Sequence, residues 1–287
     1  MKISCYTYVR NASTLGYPFI ESILSVLPIC EEFVIALGDG NDDTENMILA
    51  INSSKIKIIH TVWEMNNLKD GTEFSRQAEI ALKECTSDWV LHLQCDEVIH
   101  EEDLPLIKKT IDENNSNSNL QGFLFEYLHF YGNYHYICAS PQWYRREIRL
   151  FRNNIGVKPY RDSQGFRINN KKLLVIKTKI RVFHYSRVSN PILFDKKMKA
   201  FKAMYNQSTS DAETSFGKPV FEQNGELLKY FQGQHPHVMQ SRISNLDWIF
   251  NYDPKKASIP FKYKFKLFFE KLTGYLPFEY KNYQLIE

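Results

Sequence analysis

An α/β fold is the class this sequence predicts, and three features predict it. As far as Asp112, short apolar, β-prone runs alternate with segments whose apolar residues recur at helical spacing. The first alternation has the strand, turn and helix order that begins a βαβ unit. The run Trp89 to Leu93 then stops abruptly at Gln94, Cys95, Asp96 and Glu97. A carboxylate leaving the carboxyl end of a strand in such a sheet points into the crevice where ligands bind.

Taken in order, Ile3 to Val9 reads as a first strand, with Arg10 and Asn11 in a polar turn after it. A helix from Pro18 to Leu27 follows, Pro18 suiting its first turn and Pro28 standing just past its end. Glu31 to Leu37 is a second strand, and the Gly/Asp-rich loop Gly38 to Thr44 leads into a helix from about Glu45 to Ile51. Lys55 to Val62 is a third strand. A charged loop with Trp63, Asp70 and Gly71 then enters a helix from Glu73 to Cys85, whose Phe74, Ala78, Ala81, Leu82 and Cys85 share one face. Arg76 and Gln77 sit on the opposite edge of its first turn, where Arg76 is suited either to diphosphate oxygens or to pairing with Glu73 or Glu79. Asp96 and Glu97 likewise allow two readings: ligands for a cation held against phosphate, or caps of the helix predicted from Glu101 to Asp112.

After the polar surface loop Asn114 to Asn119 the character changes, because residues 122–136 and 143–152 are rich in aromatics and arginines. Aromatic faces stack on sugar rings and arginines bind phosphate, whereas Phe123, Phe125 and Leu150 at alternate positions suit a sheet core. A strand from Leu173 to Val182 is followed by His184. Pro191 to Asn206 reads as a lysine-rich amphipathic helix. In residues 260–271 aromatics interleave with lysines, which suits peripheral contact with an anionic bilayer or equally a helix closing the domain with its lysines in water.

With 287 residues, 43% of them hydrophobic, the chain is long enough for one large domain or a domain with an appendage. A net charge of +3 is too mild for nucleic acid to be the main partner. Five cysteines without Cys-x-x-Cys spacing argue for free thiols in a reducing compartment rather than disulfides or zinc. The first apolar run is too short for a signal peptide and no uncharged run is long enough to span a bilayer, so the expected location is cytoplasmic, free or peripheral on the cytoplasmic membrane face.

Trp89-Val-Leu-His-Leu-Gln-Cys-Asp-Glu97 resembles the segment of family 2 glycosyltransferases, of GT-A fold, that ends in an Asp-x-Asp-type motif, with Gln94 in place of the first Asp. The loop from Gly38 to Thr44 is similar to the Asp-Asp-Gly-Ser-x-Asp-x-Thr loop of those enzymes. His129-Phe-Tyr-Gly132, Trp143-Tyr-Arg-Arg-Glu147, Gly165-Phe-Arg167, His184-Tyr185 and Gly233-Gln-His-Pro236 resemble, in order, the blocks of a bacterial subgroup in which Gln also precedes the acidic pair. The resemblance implies a GT-A fold with a mixed central sheet. It places a catalytic domain in residues 1–190, with a nucleotide-binding half at 1–113 and an acceptor half at 114–190, and a helical C-terminal extension in 191–287.

The implied activity is transfer of a sugar from a nucleotide-sugar donor to a glycan or lipid-linked acceptor, by inversion, in cell-surface polysaccharide or lipopolysaccharide biosynthesis. Thr7, Tyr8, Arg10 and Asp39 would surround the nucleoside and Arg76 the diphosphate, with Gln94 and Asp96 beside them. Asp96 and His184 would hold a divalent metal, Mn or Mg, although the Gln94 amide is a poor substitute for a carboxylate ligand. Asp162 is the expected base, with Glu147 and Glu97 as substitutes or as arginine partners, and Trp143, Tyr144 and Arg145 face the acceptor. Two rival readings are a non-catalytic nucleotide- or sugar-binding protein, favoured by Gln94, and a sugar nucleotidyltransferase. The latter lacks a Gly-rich pyrophosphate loop after the first strand.

Overall fold

The computed structural model describes residues 1–64, 71–203, 205, 226–253, 260–273 and 276–286; Asp70, Asn206 and residues 254–259 lie outside them. Four parallel strands form the first half: β1 (Ile3–Val9), β2 (Glu32–Gly38), β3 (Ile56–Thr61) and β4 (Trp89–His92), in the order β3-β2-β1-β4. Helices α1 (Phe19–Val26), α2 (Thr44–Leu49) and α3 (Thr72–Lys83) make the crossovers. Every residue of β1 and β4 is buried, which is why both read as continuous apolar runs. Ile3, Cys5 and Val9 pack with Phe19, Ile23 and Val26 of α1, while Tyr6 and Tyr8 pack with Ala78, Ala81 and Leu82 of α3. The two-residue period of the strand thus divides its side chains between two layers.

The chain moves outward from β1 in both directions, to β2 and β3 on one side and to β4 on the other. This makes the carboxyl ends of β1 and β4 the switch point at which a doubly wound sheet opens a crevice. Past β4 the short strand β5 (Glu97–Ile99) and helix α4 (Leu104–Asn114) precede β6 (Gly122–Cys138) and β7 (Arg146–Arg152). Strand β7 is antiparallel to both β4 and β6, so the sheet is mixed. The hairpin β8 (Val157–Tyr160) and β9 (Gly165–Ile168), with β10 (Lys171–Lys172), forms a separate three-stranded sheet. Strand β11 (Leu174–Val188) runs parallel to β6 and antiparallel to β5.

The segment after residue 190 was expected to be helical. It does contain α5 (Pro191–Ala203), α6 (Gln240–Ser244) and α7 (Phe261–Thr273), but two strands of it enter the main sheet. Strand β12 (Leu228–Tyr230) pairs with β6, and β13 (Gln284–Leu285) with β11. The edges of β6 and β11 offer unpaired backbone groups, and pairing them satisfies more of the backbone than an appended bundle would. The block Gly233 to Met239 also finds its place here. His235 contacts the Tyr185 hydroxyl at 2.8 Å and the Tyr134 carbonyl at 2.9 Å inside an aromatic cluster, and burial brings its pKa down to about 4.

Candidate functional site

A cavity of about 440 Å³ opens where the switch point predicts it. Strand β1 and the turn after it deliver Tyr8 and Arg10, the exit of β4 delivers Gln94 and Asp96, and Trp143 and Tyr144 precede β7. The turn between β8 and β9 delivers Asp162, β11 delivers His184 and Arg187, and α5 delivers Lys197. Six parts of the chain therefore meet at one opening.

Asp96 holds its place through its neighbour in sequence. Glu97 is fully buried and accepts four hydrogen bonds: two from Arg149 at 2.7 and 2.8 Å, one from Tyr127 at 2.7 Å and one from the Gln94 amide at 3.1 Å. The Glu97 amide in turn donates to the Gln94 carbonyl at 3.0 Å, so the turn from Gln94 to Glu97 is closed from both sides. Arg149 also donates to the Gln164 carbonyl at 3.3 Å, which ties the Asp162 turn to the same strut. Glu97 is thus neither a base nor a helix cap; it opens β5, and its acceptor sites are filled.

The Asp96 carboxylate lies 3.5 Å from His184 Nε2. Burial pushes the Asp96 carboxyl up, but His184 and then Lys197 outweigh it and the net shift is downward. Behind His184, His129 contacts its Nδ1 at 2.8 Å through its own Nδ1 and the Tyr144 carbonyl at 2.8 Å through Nε2. A carbonyl only accepts, so His129 carries its proton on Nε2. Burial, reinforced by His184, keeps that ring neutral, so its Nδ1 accepts from His184. His184 Nε2 is left to face Asp96, as donor when the ring is protonated and as a metal ligand when it is not.

Asp162 has Oδ2 3.1 Å from the Tyr205 hydroxyl, and its Oδ1 accepts from the Gln164 amide at 3.3 Å. Gly71, at φ +68°, lets α3 begin against this turn, since a Cβ there would come within 3.0 Å of Asp162 and 2.9 Å of the Tyr205 oxygen. Tyr8 accepts from the Gln94 side-chain amide at 3.3 Å, so that amide braces the cavity wall.

Five expected site residues are placed otherwise. Thr7 is buried on the side of β1 opposite Tyr8, as strand alternation requires. Asp39 is an exposed rim residue that accepts from the Trp63 amide at 3.0 Å and holds Arg10, which does line the cavity, at 3.4 Å. Arg76 turns to Glu73, one helical turn away, with bonds of 2.6 and 2.8 Å. Arg145 faces Glu270 of α7 at 3.4 Å and the carbonyls of Ala139 and Ser140. Glu147 is buried outside the cavity, where it accepts from Gln164 at 2.9 Å and Asn282 at 3.3 Å, and burial raises its pKa to about 8.

Sequence reading missed Arg149, His129, Arg187 and Lys197. Lys197 carried a readable signal: it falls with Phe194 and Met198 on the stripe where α5 requires apolar residues. Burial pulls its pKa down to about 8, against the attraction of Asp96. For a divalent ion, Asp96 and His184 offer one carboxylate and one imidazole, and no group of three such side chains occurs among the described residues. The pair fits an ion that draws the rest of its shell from ligand oxygens and water.

No protein-family model matches the chain, and no curated protein matches it in sequence. Among solved structures, S. aureus TarS has 14% identity and a TM-score of 0.40 over 78% of this chain and 44% of that chain. S. aureus TarS 1–349 in complex with UDP-GlcNAc has 13% identity and a TM-score of 0.40 over 74% and 70%. Glucosyl-3-phosphoglycerate synthase from Mycobacterium tuberculosis, with Mn2+, UDP and phosphoglyceric acid, has 16% identity and a TM-score of 0.31 over 45% and 43%. This chain thus spans less than half of the full TarS and synthase chains, and likeness of this degree assigns it no chemistry.

Proposed function

We propose that this chain is a GT-A glycosyltransferase that moves a sugar from a nucleotide-activated donor to a glycan or lipid-linked acceptor with inversion. The observation that carries the reading is that Asp96, at the exit of β4, and Asp162, in the β8–β9 turn, open onto one cavity that also holds Trp143, Tyr144, Arg187 and Lys197. A donor needs cations at its diphosphate, an acceptor sugar needs aromatic faces, and inversion needs a carboxylate at the attacking hydroxyl.

In this reading Tyr8 and Arg10 flank the nucleoside, Gln94 braces Tyr8, and Asp96 lies against the ribose and diphosphate. The acceptor oxygen attacks the anomeric carbon while its proton passes to Asp162. The bond from that carbon to the diphosphate oxygen breaks, and the nucleoside diphosphate leaves with the electron pair. Mn or Mg, held by Asp96 and His184, would neutralise charge on the leaving diphosphate.

A lipid-linked acceptor is supported by α7. Phe261, Phe265, Phe268, Phe269 and Leu272 recur at helical spacing and are exposed, with Lys262, Lys264 and Lys271 exposed beside them. Glu270 of the same helix pairs with Arg145, next to the cavity-lining Trp143 and Tyr144. An anionic bilayer surface matches both the apolar face and its charge. No helix among the described residues is long and apolar enough to cross a membrane.

The test is a thermal-shift panel of UDP, GDP, CMP, dTDP and their sugars, with and without manganese, on wild type and Asp96→Ala. A ligand at a hundred times its dissociation constant stabilises the fold by about 2.7 kcal/mol. One nucleotide should raise the melting temperature, and Asp96→Ala should abolish the rise. If no nucleotide does so, the donor reading falls and a non-catalytic sugar-binding protein takes its place.

A further inference from the structure

Lys197 is 3% exposed, and its Nζ has no hydrogen-bond partner among the described residues. The ammonium sits over the Tyr17 ring, 4.3 Å from its centroid, in the wall of the cavity that Asp96 shares. Asp96 attracts it without a hydrogen bond, the carboxylate lying instead 3.5 Å from His184 Nε2. Arg187, in the same wall, is also short of an anion. It donates to the Met198 sulfur at 2.9 Å and lies over Phe194 at 5.5 Å, and among the described residues it has no carboxylate partner. A thioether is a weak acceptor, and an ammonium with three unmet donors is costly to bury.

From this geometry we infer that Lys197 and Arg187 form a diphosphate subsite, so that the charge of a bound diphosphate is met by these side chains even without a metal ion. Helix α5 carries Lys197 and the end of β11 carries Arg187, so one anion bridges two elements that follow each other in the chain. Lysine supplies a compact point charge at the buried end, and arginine a planar fork at the other. The rings of Tyr17 and Phe194 offer neither cation an acceptor atom, so apart from the Arg187 bond to Met198 their N–H groups stay available to the ligand. Naming the anion as the leaving diphosphate rests on the donor-site reading above; the anion site itself does not.

The experiment uses inorganic pyrophosphate, which carries the diphosphate without a base or sugar, titrated calorimetrically in EDTA and again in Mn2+. Wild type should bind it in EDTA. Lys197→Met and Arg187→Met should each weaken binding at least tenfold and flatten its salt dependence. Unliganded Lys197→Met should melt at or above the wild-type temperature, because the substitution removes an unpartnered buried charge and keeps the shape. A lysine that merely held α5 in place would give the opposite pair of results, lower melting and unchanged affinity. Wild type that binds pyrophosphate only with Mn2+, or Lys197→Met that binds as well as wild type, overturns the subsite. If a sugar nucleotide binds equally to wild type and Lys197→Met, the donor reading stands and the subsite falls. If pyrophosphate binding depends on Lys197 while no sugar nucleotide binds, the subsite stands and the donor reading falls.

Discussion

Asp96 and Glu97 are adjacent carboxylates with opposite fates. Glu97 turns inward, meets Arg149, Tyr127 and the Gln94 amide, and is sealed from water. Asp96 turns into a cavity, meets His184 at 3.5 Å, and shares that space with two cations lacking carboxylate partners among the described residues. A polar network whose members are all satisfied fixes a shape, whereas one left short of partners has room for a ligand. The contrast teaches which of two charged clusters, built from one turn of chain, is scaffold and which is site.

Breaking the scaffold should have the largest effect. Arg149→Met leaves the Glu97 carboxylate buried without its cation and should cost about 3–5 kcal/mol in chemical denaturation. Adding Glu97→Leu should recover most of that loss, because an apolar pair of similar volume needs no compensating charge. A single variant as stable as wild type would show that the pair is not a strut. On the other side of the contrast, Asp162→Asn should lower turnover by about a hundredfold to ten-thousandfold while donor affinity and melting temperature stay put. Glu97→Gln, in contrast, should lower stability.

The sequence announces the site side of this contrast more readily than the scaffold side. Asp96 is legible because it ends a strand buried on both faces, and such strands are written as unbroken apolar runs. Strands β1 and β2 are legible for the same reason. Arg149 is not, because a charge at every second residue of a strand normally marks a solvent face; here Glu147 and Arg149 alternate into the interior. The three residues of β5 are too few to show a period, and their pairing with β11 spans more than eighty positions. Arg76 shows the reverse error, in which a side chain suited to phosphate is already committed to Glu73 by helical spacing.

Glu147 sharpens the contrast by pH. It is buried like Glu97 but among the described residues accepts from Gln164 and Asn282 rather than from an arginine, and its pKa is raised to about 8 from an ordinary value of about 4.3. The folded state therefore holds a proton that the unfolded chain has released. This contribution is complete below the ordinary value and is lost as pH rises through the folded one. Wild type should lose up to a few kcal/mol between pH 5 and 9, and Glu147→Gln should lose measurably less. Equal slopes in thermal melts across that range would mean that Glu147 is ionised in place.

The smallest effect belongs to α7, where the same division recurs within one helix. Its Glu270 is joined to Arg145, while Phe265, Phe268 and Leu272 are each more than half exposed. If that face meets a bilayer, charge and apolar contact should separate in vesicle sedimentation. Lys264→Gln should weaken binding to phosphatidylglycerol vesicles by about 1 kcal/mol, roughly fivefold, and leave the weak binding to phosphatidylcholine unchanged. Phe265→Ser with Phe268→Ser should reduce binding to both, because the apolar contribution does not depend on headgroup charge. Neither change touches the cavity, so turnover on a water-soluble acceptor should stay at the wild-type level, with the loss confined to lipid-linked substrate in vesicles. A fall in both assays would mean that α7 braces the Arg145 side of the cavity, and the outward aromatics would then need another partner.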